Sequence, residues 1–220
     1  MLNPGLLLLA DSRLPSGGHA HSGSLAVAVS RGVVRDIETL RAFCDARLHS
    51  AGALSALFAN RAQRSAHDPS ILTELDNALD IRMISSASRM SSRAQGNGLV
   101  RVASTTWPSA SLAHIPSRAH HAIALGVCVA VVGGSAKDAA VIASTNSITA
   151  NCSAAVRLLG LDPFSVSKLQ AEFGVAITDI AESVSTLDDM EINSLPAFSS
   201  PGLDLLAQAQ TRLEVRLFAS

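Results

Sequence analysis

The fold class is decided by residues 162–184, which read DPFSVSKLQAEFGVAITDIAESV. The stretch opens with Asp162-Pro163. Aspartate commonly caps helix N-termini, and proline suits the first helical position. Apolar side chains then recur every three or four residues for about five helical turns. They are Val166, Leu169, Phe173, Ile177, Ile180 and Val184. The pattern predicts an amphipathic helix, and Gly174 marks a position where it can bend.

The same helix signals recur towards the N-terminus. Asp36 and Asp68-Pro69 are further capping residues, and each precedes an apolar stripe at helical spacing. The stripes consist of Ile37, Leu40, Phe43, Cys44 and Leu48, and of Ile71, Leu72, Leu75, Leu79 and Met83. Composition and spacing predict additional helices over residues 6–10, 25–30, 51–64, 85–102 and 136–159.

Residues 119–132 form an almost unbroken apolar run. Its length favours a buried helix and its valines favour a buried strand, so periodicity alone leaves both open. Residues 107–117 contain two prolines and are interpreted as a turn inside one bundle. The sequence shows no strand-like alternation and no internal repeat. We therefore predict an all-α fold, with residues 1–220 forming a single-domain helical bundle of about eight to ten helices.

The composition restricts the class of partner. The chain has 220 residues and a net charge of -1, so there is no electrostatic case for binding nucleic acid. Charged residues make up 16%, against about 25% in ordinary globular proteins. This low proportion predicts that part of the exterior is covered by partner proteins. Aromatic residues make up 3%, so the core must be built from Ala, Leu, Val and Ile, which suits packed helices.

The cysteines and the apolar runs bear on the compartment. Cys44, Cys128 and Cys152 are an odd number without C-x-x-C spacing, which argues against a disulfide framework and favours a reducing compartment. The apolar start lacks a basic region and is interrupted by Asp11 and Arg13, unlike an export signal. The longest apolar stretch, residues 122–132, is shorter than the roughly 20 residues that span a bilayer. We expect a cytoplasmic protein that does not contact the membrane.

Residues 11–24 are rich in glycine and polar side chains and are predicted to form a loop. His19 and His21 could both face one nickel or zinc ion there, although two loop histidines more often serve as hydrogen-bonding groups. Ser12, Ser22 or Ser24 could form a triad with His21 and Asp11, but no nucleophile elbow surrounds them. Gly18, Gly23 and Ser24 have phosphate-loop spacing without the lysine that such loops require.

The remaining candidates for chemistry have simpler interpretations. Cys44 and Cys128 lie in apolar surroundings and are interpreted as small buried side chains. His120 and His121 are adjacent, so their side chains diverge on a helix, and they favour chelation of one ion less than His19 and His21 do. The sequence therefore predicts a protein that is not an enzyme and carries no cofactor.

The C-terminal region is predicted to bind a partner. Residues 187–201 are acidic and then rich in Ser and Pro, as in a linker. Leu203, Leu206, Gln210, Leu213 and Leu217 follow at alternating steps of three and four, which gives a narrow seam on a helix over residues 203–218. Such a helix is not stable alone in water, so we expect it to dock in a groove.

Five segments resemble the UreF family of urease accessory proteins. Residues 9–22, LADSRLPSGGHAHS, are similar to its D-S-x-L-P-x-G-G-[aromatic]-x-H-S element, and residues 216–220, RLFAS, are similar to its R-L-F-x-S terminus. Weaker similarities lie at residues 89–96, 121–126 and 153–158. The chain departs from the family pattern at His19 (usually aromatic), at Ala26 (often Glu) and at Gln210-Thr211 (often His-Glu).

The resemblance implies an all-helical, homodimeric, non-catalytic scaffold. Such a scaffold binds UreD (also called UreH) and recruits the GTPase UreG, and the assembly delivers nickel to apo-urease. The resemblance places partner binding in the N-terminal loop, at one arginine and in the tail. The implied residues are Asp11, Ser12, Arg13, Leu14, Pro15, Gly17, Gly18, His21, Ser22, Arg157, Leu213, Arg216, Leu217 and Phe218. Asp11, Arg13 and Arg157 are candidates to touch the GTPase and to regulate it.

Two other hypotheses remain open at this point. In one, the chain carries nickel directly through His19, His21 and Cys128. In the other, it is a hydrolase that uses a serine and His21.

Overall fold

The computed structural model describes residues 3–15 and 24–210, which are helical with no strand in either range. The all-α class is therefore confirmed. Eleven α-helices lie in these ranges: α1 Pro4–Ala10, α2 Leu25–Ser30, α3 Ile37–Arg47, α4 Ala53–Arg64, α5 Pro69–Arg82, α6 Ser86–Thr106, α7 His121–Val131, α8 Ala136–Leu159, α9 Pro163–Glu172, α10 Gly174–Ser185 and α11 Pro201–Gln210. A π-helical turn, Leu48–Gly52, joins α3 to α4, and 3₁₀ turns cover Ala110–His114 and Ile192–Ser194.

Three helices form the centre of the bundle. α4 packs against α7, α8 and α10, and α6 covers another side of α7. Residues 122–129 of α7 are all buried, which resolves the apolar run as a helix. Because neighbours surround α7, it has no polar stripe, and this explains why its periodicity was uninformative.

α4 and α7 cross at unusually close range at Gly126. A Cβ atom built on Gly126 would lie 2.4 Å from the carbonyl oxygen of Ala59 and 2.7 Å from the Cβ of Ala62. Only a residue without a side chain permits this approach. The small residues at this crossing let two helix backbones take up space that large side chains fill in other cores.

Local hydrogen bonds fix the helix starts. Asp36 accepts a hydrogen bond from the backbone of Thr39, whose hydroxyl accepts one from the backbone of Asp36, which forms a capping box. Asp68 and Asp162 each accept two backbone hydrogen bonds from the first turns of α5 and α9. The three predicted starts are confirmed.

The stretch that decided the fold class forms two helices, α9 and α10. They meet at Phe173, next to the predicted bend at Gly174. All six apolar side chains of the predicted stripe are buried. The stripe therefore continues across the break and faces the core along both helices.

Two arginines hold residues 187–195 against the bundle. Arg61 donates hydrogen bonds to the carbonyls of Leu187 and Met190 at 3.0 and 2.8 Å. Arg82 donates to the carbonyls of Ile192, Asn193 and Leu195 at 2.8–3.3 Å. Ile192 and Leu195 are buried. The first part of the segment interpreted as a linker is thus anchored to α4 and α5.

A buried polar network joins α5, α6 and the start of α7. The His120 side chain is fully buried, and its Nε2 lies 3.0 Å from the Asp80 carboxylate. Its backbone nitrogen donates to Asp76, and Arg93 contacts both Asp76 and Asp80. His120 Nδ1 has no hydrogen-bond partner among the described residues. Burial lowers the pKa of His120, although the Asp76 charge opposes this shift.

We predict that Gly126→Ala destabilises the fold by about 1–3 kcal/mol, because the new methyl group meets the backbone of α4. Gly174→Ala is the matched control, since a Cβ there meets nothing within 4 Å. The control should be neutral or stabilising by up to about 1 kcal/mol. Urea unfolding of both variants measures this, and equal midpoints would contradict the proposed crossing.

We also predict that the free energy of unfolding falls as the pH drops below 6.5. An unfolded histidine takes up a proton near pH 6.5, whereas folded His120, with its lowered pKa, does so only at lower pH. The contribution is therefore complete above pH 6.5 and is lost by up to about 1.4 kcal/mol per pH unit below it.

The test is denaturant unfolding between pH 7.5 and 5. His120→Gln keeps an N–H donor for Asp80 but does not titrate, so its stability should change less over this interval. His67→Gln, at an exposed position, controls for loss of a histidine. A His120→Gln profile parallel to that of the wild type would show that His120 does not cause the loss.

Candidate functional site: a groove between the N-terminal turn, α6, α8 and α11

The surface has a groove of about 260 Å³, to which four segments that are distant in sequence contribute much of the lining. The segments are the turn after α1, the first half of α6, the middle of α8 and the start of α11. The groove has an apolar floor that includes Leu54, Leu79, Leu99 and Leu125. It therefore combines polar walls with a hydrophobic base.

The α6 wall consists of short polar side chains on one helix face. Ser88, Ser91, Ser92 and Gln95 have i, i+3, i+4, i+7 spacing and line the groove. Leu99 and Ala103, further along the same helix, are buried in the core. These serines thus form part of a groove surface, which the sequence analysis did not predict.

The α8 wall repeats this arrangement. Asn146, Thr149, Ala150, Ser153 and Arg157 lie on one face of α8 along the groove. Most of these side chains are short, and Ser153 and Arg157 are exposed to a docked segment. The other faces of α8 carry Ile142, Ile148 and Ala155, which are buried.

The π-helical turn brings polar groups from α3 to the groove. Arg47 lines it and donates from Nε to the carbonyl of Ser147 on α8 at 3.1 Å. Ser50 and Ala51 of the turn also line it. A Cβ on Gly52 would lie 2.8 Å from the Ser147 hydroxyl, so the turn lies directly on α8. Nothing in the sequence pattern marked Arg47 as a groove residue.

The turn after α1 presents a fixed carboxylate at the rim. Asp11 accepts hydrogen bonds from the backbone nitrogen of Arg13 at 2.8 Å and from its guanidinium at 2.7–3.1 Å. These side-chain and backbone hydrogen bonds lower the pKa of Asp11 to about 2. Leu14 is buried beneath the turn and donates its backbone N–H to the Asp11 carbonyl. Asp11 is therefore ionised at neutral pH and held in place.

On the opposite rim, α11 contributes a second carboxyl group. Leu203, Asp204 and Ala207 line the groove, and burial raises the pKa of Asp204. α11 packs on α6 and α2, with a hydrogen bond between Ser86 and Gln208 at 3.2 Å. Leu205 remains 71% exposed. This helix, Pro201–Gln210, begins two residues before the predicted C-terminal helix at residues 203–218, and residues 211–218 of that prediction lie outside the described residues.

The structure brings several predicted site residues together. Asp11, Ser12 and Leu14 line the same groove as Arg157, from which they are separated by more than 140 positions. Arg13 and Pro15 are exposed beside it. The other predicted residues lie outside the described part of the chain: Gly17, Gly18, His19, His21, Ser22, Leu213, Arg216, Leu217 and Phe218.

The alternative hypotheses are tested only where their residues are described. Residues 3–15 and 24–210 contain no group of three or more His, Cys, Asp or Glu side chains that could hold a metal ion. Cys128, the thiol of the nickel-carrier hypothesis, is fully buried in α7, and burial raises its pKa to about 12. Ser24, a candidate nucleophile, is buried at the start of α2. Among the helices described, none is both long and apolar enough to cross a bilayer.

Comparisons with known proteins all point to one family. The UreF family model matches residues 34–174. The urease accessory protein UreF of Mycolicibacterium vanbaalenii is 37% identical over 215 residues, and that of Mycobacterium marinum is 38% identical over 216 residues. The corresponding protein of Mycobacterium tuberculosis H37Rv is 34% identical over 215 residues. Each alignment covers 98% of this chain and 97% of the relative.

Proposed function

Because the chain belongs to the UreF family of urease accessory proteins, we propose that it is a non-catalytic scaffold of urease maturation. In this proposal it binds UreD (UreH) and recruits the GTPase UreG, and the assembly inserts nickel into apo-urease. Nickel is the cargo of the assembly. The observation that carries the proposal is the groove, in which four distant segments form one surface with an apolar floor and short polar walls.

The chemistry of the groove suits a protein segment. Protein interfaces combine an apolar centre with a polar rim, and the floor and walls follow that arrangement. Hydroxyls on α6 and α8 can donate and accept hydrogen bonds to a partner backbone, whereas their small size leaves room for its side chains. The low proportion of charged residues, 16%, agrees with a surface that is partly covered in its working state.

Charges at the rim would set the register of the partner. The ionised Asp11 carboxylate and the Arg157 side chain both lie along the groove, and complementary charges fix orientation and association rate. We propose that Asp11, Arg13 and Arg157 contact the partner proteins. Their contact with UreG would regulate GTP hydrolysis by UreG. Arg13 forms a bidentate ion pair with Asp11. Any contact between Arg13 and the GTP bound to UreG therefore requires that this ion pair opens first.

The C-terminal helix would extend this surface. In α11, Ala207 is buried while Leu203 and Leu206 are half-buried, so one face of the helix rests on the bundle. We propose that the C-terminal helix at residues 203–218 docks UreD through Leu213, Arg216, Leu217 and Phe218, beyond the part that rests on the bundle.

The proposal also covers assembly and location. We propose that residues 1–220 act as one domain, that two copies form a homodimer, and that the dimer works in the cytoplasm. Exposed large apolar side chains support the proposal of further protein contacts. Ile81, Phe164 and Val175 are 72–86% exposed.

We predict that Ser153→Trp weakens UreD binding at least tenfold, because an indole in the α8 wall fills the groove. Ser153 is exposed, so the fold should tolerate the substitution. Ser183→Trp on α10 is the matched control, since Ser183 is exposed and does not line the groove. The measurement is UreD affinity by titration calorimetry, with thermal unfolding of each variant as the check on folding. Equal affinities for the two variants would refute the groove as the docking site.

We further predict that removing residues 211–220 lowers capture of UreD at least tenfold. This truncation keeps α11, whose contacts with α6 and α2 belong to the described fold. Pull-down with tagged UreD measures capture, and an unchanged thermal midpoint shows that the bundle persists. Undiminished capture would refute the role of the tail.

A further inference from the structure

Two of the three cysteines form a buried pair that the proposed function does not use. Cys44 on α3 and Cys152 on α8 are buried in the same hydrophobic core, and each side chain shifts the pKa of the other. Both are free thiols, 0% and 1% exposed. Cys128 is also buried but lies on α7. Cys44 and Cys152 are thus candidates to react with each other, whereas Cys128 is a single thiol on another helix.

A hydrogen bond near the two cysteines joins the same helices. Arg47 on α3 donates from its side chain to the carbonyl of Ser147 on α8. Cys44 lies three residues before Arg47, and Cys152 lies five residues after Ser147. Each cysteine is therefore within two helical turns of a direct contact between α3 and α8.

The separation of the helices suits a covalent link. Some Cα atoms of α3 and α8 lie within 8 Å of each other. A disulfide joins Cα atoms that are about 4.4–6.8 Å apart. A disulfide between Cys44 and Cys152 forms once their Cα atoms come within this range.

We propose that Cys44 and Cys152 are a redox-active dithiol, which a two-electron oxidant converts into a disulfide that links α3 to α8. This inference concerns chemistry of the chain itself and does not depend on the proposed function. α3 and α8 both reach the groove, through Arg47 and through Ser147 and Ser153. The link would therefore fix the distance between two of its lining elements.

The reaction balances with a diazene such as diamide as the oxidant. The thiolate of one cysteine adds to the N=N bond, and the adduct takes up a proton. The second sulfur then attacks the first, so the S–S bond forms while the S–N bond breaks. The hydrazine that leaves carries both electrons and both protons.

The neighbouring Cys44 side chain lowers the pKa of Cys152, although burial opposes the shift. The neighbouring Cys152 side chain and burial raise the pKa of Cys44. We therefore expect Cys152 to be the first nucleophile. Because both thiols are enclosed, the reaction requires local opening of the α3–α8 contact and should be slow.

To test this, the folded full chain is treated with diamide. The remaining free thiols are then blocked in denaturant and counted. Free thiols should fall from three to one, and the remaining thiol should map to Cys128. Digestion without reductant should give one peptide pair linked through Cys44 and Cys152. The thermal midpoint should rise by several degrees and return after reduction. Three remaining thiols, or disulfides that involve Cys128 or join two chains, would overturn the proposal.

Single substitutions test the pairing. After oxidation, Cys44→Ala and Cys152→Ala should each retain two free thiols, whereas Cys128→Ala should retain none. Cys128→Ala keeps the pair intact, so it provides the decisive count even if the other two variants fail to fold. A Cys128→Ala protein that retains two free thiols would exclude the intramolecular disulfide.

Discussion

The structure depends on the close approach of α4 and α7. A side chain on Gly126 would overlap the backbone of α4, so the two helices pack at a distance that only glycine and alanine allow. α7 is consequently buried on all sides, and α6, α8 and α10 pack around this pair. This explains how a chain with 3% aromatic residues builds a core from Ala, Leu, Val and Ile.

Polar contacts then fix the outer elements on this centre. Asp76, Asp80, Arg93 and His120 join α5 to α6 and to the start of α7. Asp76 and His120 are the buried members, and their hydrogen bonds and ion pairs favour one arrangement of these helices. α6 is thereby held in the position in which its serine face lines the groove together with one face of α8. The described part of the site therefore follows from the packing of the helices.

Local signals made much of the fold predictable. The starts at Asp36, Asp68 and Asp162 follow from hydrogen bonds within a few residues, and the predicted helix at residues 136–159 matches the bounds of α8. Residues 119–132 were ambiguous because a helix buried on every side has no polar face to reveal its period. The turn at Asp11–Leu14 and Arg157 were found through family resemblance, and the structure places them along one groove.

The groove itself was not predictable from the sequence. The stripe of Ser88, Ser91, Ser92 and Gln95 has the same pattern whether it faces solvent or a cleft, and only tertiary packing decides between them. Arg47 gave no signal because its role depends on the π-helical turn that places it against α8. The anchoring of residues 187–195 depends on Arg61 and Arg82, which are more than 100 positions away. In each case the information lies in long-range contacts that a single sequence does not display.

The central claim is that this chain works by presenting the groove to UreD (UreH). Hydrogen–deuterium exchange of the chain, alone and with saturating UreD, tests it most directly. The account predicts slower exchange in residues 11–14, 86–95 and 146–157 on binding, and little change in α9 and α10. Protection confined to α9 and α10, or no protection anywhere in the presence of UreD, would contradict it.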